Sequence, residues 1–381
     1  MKRFFALFTA AVLCFCFSTP VLSASTVNTA VSIGVSAECA ILIDTDSGNV
    51  FFEKDPDKPM GMASTTKLMT ALTAMTLGAP DQKIKVPVEA VGVEGSSVYL
   101  VEGETLTLTE LLYALLLSSA NDAAVAIAVG LSGSIEEFTQ KMNDYAARLG
   151  LTHTHFVNPH GLYDSEHYTT ARELAIIAAE AIKDPLIARI VSTKKATIPH
   201  DGVADKRLLV NHNKLLRTYD GAIGMKTGYT KKTGRCLVSA ARRDGLTLVA
   251  VTLNAPDDWR DHTALLNYGF DNYERKIFYP AGAFSYSLPL SDGNRATVTL
   301  TNTEPLSLTV KKGTHLPELC IEAPFRFAVG NVKKGDHFGA VTLSIDGVSV
   351  SSPLAFTEST SGGTRAKKGF FERIFTFFSI E

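Results

Sequence analysis

The chain has 381 residues, 45% hydrophobic and 20% charged, with 28 Gly and 15 Pro, which excludes a disordered, collagen-like or disulfide-scaffold protein. Lys plus Arg number 37 against 39 Asp plus Glu, so a net charge of -2 leaves no basic excess for gripping a phosphate backbone and argues against nucleic acid as a partner. At about 150 residues per domain, the length allows two or three domains.

Lys2 and Arg3 precede a largely apolar run from Phe4 to Phe17, then Ser18-Thr19-Pro20 and small residues from Ser23 to Ser25. A positive start, a run shorter than the about 20 residues a spanning helix needs, and a small-residue exit predict a secretory signal peptide and export. We place it at residues 1–23. Cys14 and Cys16 fall inside it, and Cys39, Cys236 and Cys320 have no Cys-x-x-Cys spacing, so neither a zinc site nor a disulfide framework is indicated.

Residues 27–275 mix helical and strand patterns. Cys39–Asp44 and Asn49–Glu53 flank an Asp46-Ser47-Gly48 turn, and Cys236–Arg243 faces Leu246–Leu253 across Asp244-Gly245; both predict hairpins. Between them lie helical runs at 64–77, 108–117, 122–131, 135–149 and 171–182. The expected fold class is therefore α+β, an antiparallel sheet built from both ends of the domain with a helical region inserted.

From 276 to 356 the pattern changes to short alternating strands, such as Ala296–Leu300 and Val341–Ile345 before an Asp346-Gly347 turn, which predicts a small all-β domain. Residues 357–369 read as a flexible linker that turns basic at Arg365, Lys367 and Lys368. On a helix over 370–381, Phe370, Phe371, Ile374, Phe375, Phe377 and Phe378 share one side. A dozen residues cannot cross a hydrocarbon core about 30 Å thick, but an aromatic face behind basic residues can lie in the headgroups of an anionic membrane. The membrane surface is thus an expected partner.

From Pro59 to Pro80 the only charged residue is Lys67, inside Met62-Ala-Ser-Thr-Thr-Lys-Leu-Met. A helix with so little polar surface is a buried one, and burial lowers a lysine's pKa until it becomes a usable base. Ser64 precedes it by three residues, on the same face and at the start of the run, where free N–H groups favour developing negative charge. Hydroxyl, base and oxyanion donor are the parts acyl transfer needs. Thr107 to Glu110 forms a capping box opening the 108–117 helix; that helix stops at Ser118-Ser119-Ala120-Asn121, with Asp122 placed to cap the next one. Ser119 and Asn121, two apart in a turn, can face one cleft. In Gly224-Met-Lys226-Thr227-Gly228-Tyr229, an edge strand can offer Lys226 and Thr227 to a carboxylate, while Gly228 permits close backbone approach.

These three segments, in this order, resemble the active-site motifs of penicillin-recognising serine enzymes. The spacings, 55 residues from Ser64 to Ser119 and 107 from Ser119 to Lys226, are similar to those of the D-alanyl-D-alanine carboxypeptidases. Asn158-Pro-His-Gly-Leu162 matches in context too. The resemblance implies a penicillin-binding/β-lactamase-like transpeptidase domain, followed by the β-domain. It implies removal of the terminal D-alanine from peptidoglycan stem peptides ending in D-Ala-D-Ala, acylation by β-lactams, and a place on the outer face of the bacterial cytoplasmic membrane. Residue by residue, it makes Ser64 the nucleophile, Lys67 its base and Ser119 a proton relay. Asn121 would hold the substrate amide, Lys226 and Thr227 its carboxylate, and the N–H groups of Ser64 and Tyr229, beside Gly228, would form the oxyanion hole. Ala120 departs from the Gly often found there. No cofactor or metal is implied.

A class A β-lactamase would need a Glu-x-x-Leu-Asn segment, which the chain lacks. A DD-endopeptidase and a non-catalytic peptidoglycan-binding protein are the remaining alternatives. The cluster of His153, His155, His160 and His167 beside Asp164 and Glu166 has metal-ligand chemistry but no His-Glu-x-x-His pattern; the plainer expectation is a loop packed beside the cleft.

Overall fold

The computed structural model describes residues 33–200, 206–292, 295–314, 317–345 and 347–361. The expected signal peptide, the basic end of the linker and the anchoring helix lie outside these residues. Strands β1 (Cys39–Asp44) and β2 (Val50–Lys54) form the first expected hairpin. A 3-10 turn over Ala63–Thr66 leads into α1 (Lys67–Leu77), so Ser64 sits in a tighter turn just before the helix rather than within it. Strands β3 (Lys83–Lys85) and β4 (Thr105–Thr107) pair around a long loop. Five helices follow: α2 (Leu108–Leu117), α3 (Asn121–Ser132), α4 (Ile135–Arg148), α5 (Ala171–Lys183) and α6 (Pro185–Ser192). A second short pair, β5 (Lys195–Ile198) and β6 (Arg207–Val210), precedes the one-turn α7 (Leu215–Thr218).

Strands β7 (Ala222–Thr230), β8 (Gly234–Arg243) and β9 (Leu246–Leu253) then run up and down before α8 (Asp258–Asn272). The sheet order is β2-β1-β9-β8-β7, all antiparallel, so the first hairpin joins β9 and the helices are an insertion between strands from the two ends, as expected. Every residue of β9 is buried. Val249, Val251 and Leu253 face the helical core, while Leu248 packs on Gly269 of α8 and Thr252 bonds to His262 of the same helix. Covering both faces explains why β9 reads as a nearly continuous apolar run.

Helices α6 and α8 are not among the expected runs. Asp184 caps α6 by accepting from the Leu186 and Ile187 amides, with Pro185 at its first position, a start signal that is legible in the sequence. Helix α8 is a different case, because its buried face includes Asp258, Asp261 and His262. Asp261 accepts from Ser36 N, Ser36 Oγ and Ala37 N, and His262 lies between Ser239 Oγ and Thr252 Oγ1. Polar residues buried on distant partners erase the amphipathic period.

The second region holds strands β10 (Tyr273–Tyr279), β11 (Ser285–Ser291), β12 (Thr297–Asn302) and β13 (Leu306–Lys311). It continues with β14 (Glu318–Glu322), β15 (Ala328–Val329), β16 (His337–Ile345) and β17 (Val348–Phe356). Strand β10 pairs with β13, and the others form one sheet in the order β14-β16-β17-β12-β11-β15. Their alternating inward residues, among them Leu288, Leu300, Leu306, Val341, Leu343 and Leu354, make a core separate from that of the helical region.

Two buried polar anchors hold the loop between β3 and β4 in place, one on helix α3 and one on strand β6. Asp122, expected to cap the helix after Asn121, instead sits inside α3, whose cap residue is Ala120. Its carboxylate accepts from Ser97 Oγ and from the amides of Val98, Leu100 and Ala123. Arg207 of β6 donates to both oxygens of Glu104, Nη2 to Oε2 at 2.9 Å, and to the carbonyls of Tyr99 and Pro199. Both partners are buried. Glu104→Leu is expected to cost about 3–5 kcal/mol by leaving a buried guanidinium without its carboxylate, and Glu104→Leu with Arg207→Met to recover much of that loss. Urea denaturation of the two variants checks it.

Candidate active site

From Met62 to Ala74 every residue is buried except Ser64, which is half-exposed. The turn before α1 therefore delivers one hydroxyl to the surface of an otherwise sealed helix. One turn on, Lys67 is completely buried, and its ammonium has three contacts: Ser64 Oγ at 2.9 Å, Asn121 Oδ1 at 2.6 Å and the His160 carbonyl at 2.7 Å. Burial, the nearby charge of Lys226 and a weaker opposing pull from Asp122 together hold its pKa well below the ordinary lysine value. An ammonium uses three donors here; a neutral amine has two, which Asn121 and His160 can take, leaving its lone pair toward the Ser64 hydroxyl. One set of heavy-atom positions thus serves both protonation states.

The second segment is the turn between α2 and α3. Ser119 adopts φ +59° and Ala63, beside the hydroxyl-bearing Ser64, adopts φ +49°, so two non-glycine residues in the left-handed region flank the site. Asn121 spends both halves of its carboxamide: Oδ1 accepts from Lys67 and Nδ2 donates to the Glu94 carbonyl at 2.5 Å. Its amide also donates to Ser96 O, so the β3–β4 loop forms a wall of the site.

The third segment lies on β7, the edge strand of the sheet. Lys226 is buried and donates to Ser119 Oγ at 2.9 Å and to the Thr227 carbonyl at 2.8 Å. Burial lowers its pKa to about 7. Gly228 follows on the same face, and a Cβ there would stand 3.0 Å from the Ser64 amide nitrogen and 3.1 Å from Ala63 Cβ. Glycine therefore lets the strand edge close on the Ser64 turn. Thr227 is half-buried and Tyr229 exposed, alternating with that face.

A model for the D-alanyl-D-alanine carboxypeptidase family matches residues 25–257. The chain belongs to this family. It is 33% identical over 335 residues to D-alanyl-D-alanine carboxypeptidase DacF of Bacillus subtilis (strain 168), spanning 84% of this chain and 85% of that one. To D-alanyl-D-alanine carboxypeptidase DacC of Escherichia coli (strain K12) it is 30% identical over 368 residues, 90% of this chain and 88% of that one. Among solved structures, penicillin binding protein 5 from Haemophilus influenzae superposes with a TM-score of 0.68 at 27% identity, over 87% of this chain and 99% of that one. A serine-to-alanine mutant of the Streptomyces K15 DD-transpeptidase superposes with a TM-score of 0.60 at 31% identity, over 63% of this chain and all of its own. The resemblance drawn from three short motifs is borne out, as are the α+β fold and the serine-type hydrolase activity it implied.

The carboxypeptidase fold adds parts to the site that motif reading left out. His160 contributes its main-chain carbonyl to Lys67, with its ring pushed down to about 3 by burial and by Lys67. Asn158 Oδ1 accepts from the His160 and Gly161 amides, and Thr70 of α1 donates to the Pro159 carbonyl at 2.6 Å, so the loop is pinned to the helix that carries Lys67. The four histidines of this region go to separate partners: His153 to Glu173, His155 to the Glu166 carbonyl, His160 Nδ1 to the Leu162 amide, and His167 to Thr66 Oγ1. Among the described residues no group of three or more His, Cys, Asp or Glu is placed to hold a metal ion.

Gly161 has φ +89°, and a Cβ there would meet the Ala63 carbonyl oxygen at 2.0 Å. Gly161→Ala is expected to destabilise the protein by about 2 kcal/mol or more, because backbone must move and the left-handed conformation penalises a side chain. It should also slow acylation by labelled penicillin, since the loop that shifts carries the His160 carbonyl; thermal unfolding and acylation rates measure the two effects.

Proposed function

We propose that the chain removes the terminal D-alanine from peptidoglycan stem peptides ending in D-Ala-D-Ala, outside the cytoplasm, through an acyl-enzyme on Ser64. The observation that carries this reading is the contact between a half-exposed serine hydroxyl and a fully buried lysine that has no carboxylate partner among the described residues. Neutral Lys67 takes the Ser64 proton as Oγ attacks the carbonyl carbon of the penultimate D-alanine. Negative charge on the carbonyl oxygen falls to the amides of Ser64 and Tyr229, brought together because Gly228 carries no side chain. The C–N bond breaks, the leaving amine takes a proton through Ser119, and D-alanine departs. Water then attacks the ester, gives up its proton by the same route, and frees Ser64.

Lys226 and Thr227 receive the substrate's terminal carboxylate. A buried ammonium with no carboxylate bonded to it among the described residues gains a counter-charge from this ligand, which favours its charged form. Asn121, engaged by Lys67 and Glu94, acts first by orienting the base; contact with the substrate amide requires it to exchange the Glu94 bond. β-Lactams acylate Ser64 by the same attack on the lactam carbonyl. We assign residues 27–272 to this catalytic domain and 273–356 to the β-domain, because β10 pairs with β13 from Tyr273 onward. Residues 1–23 direct export, 357–369 form the linker, whose first residues are hydrogen-bonded to the β-domain through Thr357 and Thr360, and 370–381 lie in the outer face of the cytoplasmic membrane.

Release of D-alanine from a pentapeptide ending in D-Ala-D-Ala tests the activity, and Ser64→Ala should abolish both release and covalent labelling by penicillin; a Ser64→Ala protein that still labels would remove Ser64 as nucleophile. Lys67→Ala should slow acylation by about 100-fold or more. Because protonation consumes the base, kcat/KM should fall as pH drops, along a limb well below the ordinary lysine range. A limb at the ordinary lysine value would exclude Lys67 from that role. Deleting 370–381 should move the protein from membrane to soluble fractions and leave peptide hydrolysis intact; unchanged membrane retention would overturn the anchor.

A further inference from the structure

The β-domain carries an exposed apolar segment that runs against water. Around the two-residue strand β15, Phe325, Phe327 and Val329 are 65%, 42% and 62% exposed, while Ala328 between them is 2% exposed. A strand on a soluble surface places its polar residues outward. Here three exposed residues are apolar and two of them aromatic, with Phe325 and Phe327 in the bend just before β15. Arg326, Lys333 and Lys334 are exposed around this face, and residues 323–335 contain three basic residues and no acidic one.

The point at which the described chain leaves the domain is stitched to the same segment. Thr360 Oγ1 donates to the Gly330 carbonyl at 3.1 Å and accepts from the Val332 amide at 3.2 Å. Thr360 N donates to the Val332 carbonyl, and Ser359 Oγ accepts from Lys334 N. The residues that follow carry Arg365, Lys367 and Lys368 and then the Phe-rich sequence from Phe370. Two stretches of basic and aromatic residues therefore start from one place.

We propose that residues 325–334 form a second membrane contact, with Phe325, Phe327 and Val329 among the headgroups of an anionic bilayer and Arg326, Lys333 and Lys334 on lipid phosphates. Charge selects this occupant. A second copy docking through the same patch would set three positive charges against three, and the chain's own C-terminal residues bring three more. A strand-adding peptide finds only two residues of edge in β15. Aromatic side chains flanked by Lys and Arg fit an anionic lipid surface. Such a contact fixes the orientation of the β-domain on the membrane, which a single helix on a linker does not. The proposal stands on described residues and is independent of the 370–381 anchor.

The test uses the full chain carrying Phe325→Trp, with the unsubstituted chain giving the background of Trp259. Vesicles of phosphatidylglycerol and phosphatidylethanolamine, with and without bromine-labelled acyl chains, are compared with phosphatidylcholine vesicles, and penicillin acylation confirms the fold. The expected result is emission from the introduced indole that shifts to the blue and is quenched by brominated anionic vesicles but not by phosphatidylcholine. Phe325→Ser with Phe327→Ser should weaken vesicle partitioning by about tenfold. Sedimentation with vesicles while the introduced indole stays unquenched would overturn the proposal and spare the anchor. Emission from the Phe325→Trp chain that is already blue-shifted without lipid, and unchanged by it, would overturn the proposal by assigning the patch to the chain's own C-terminal residues or to a second copy. No sedimentation at all would overturn both membrane readings.

Discussion

An ammonium group buried among main-chain and hydroxyl oxygens, with no carboxylate bonded to it among the described residues, is the constraint on which the catalytic domain depends. Taking Lys67 out of water is costly, and the fold offsets that cost through hydrogen bonds and through easy loss of the proton. Its three contacts come from three places: the turn before its own helix, the α2–α3 turn, and the carbonyl of a loop that starts far along the chain. Neither the Asn121 nor the His160 acceptor can be removed without leaving a buried donor unpaired in both protonation states. Packing and chemistry are therefore the same requirement at this position.

The second buried lysine extends the constraint to the sheet. Lys226 binds Ser119 across the cleft from Lys67, so the two positive groups are held apart by the Ser119–Asn121 turn. Burial, with the charge of Lys226 nearby, lowers the pKa of Lys67. Such an arrangement needs rigid walls. Strands β8 and β9 are buried on both faces, α8 is locked by the Asp261 and His262 hydrogen bonds, and the β3–β4 loop is tied down by Asp122 and Glu104. The left-handed conformations of Ala63 and Ser119 are strain that this packing sustains where the reacting groups must converge.

The β-domain contributes no described residue to that site and has a core of its own. Among the described residues no helix is long and apolar enough to cross a membrane. The features that speak of a membrane are instead superficial ones: aromatic residues facing outward and basic residues in a segment without acidic ones. Under the proposed membrane contact, orientation at the surface bears on which peptides the cleft can reach.

The family's chemistry is legible in the residues alone, because three motifs of fixed spacing carry it and because a lone Lys67 in an uncharged stretch can be read without coordinates. The hairpins, most helices and the α+β plan are legible there too, where local period and turn residues agree. Helix α6 announces itself through Asp184-Pro185, although its brevity hides it from a search for longer periodic runs. Other features depend on partners distant in the chain. Helix α8 buries Asp261 on Ser36, a pairing that no local periodicity records. Asp122 has the position of a cap and serves as the anchor of a loop 22 to 25 residues away. The carbonyl of His160 completes the Lys67 site, and a main-chain oxygen has no residue identity by which a motif could announce it. Residue type states which group can react; which acceptors surround it, and hence whether it holds its proton, is set by packing alone.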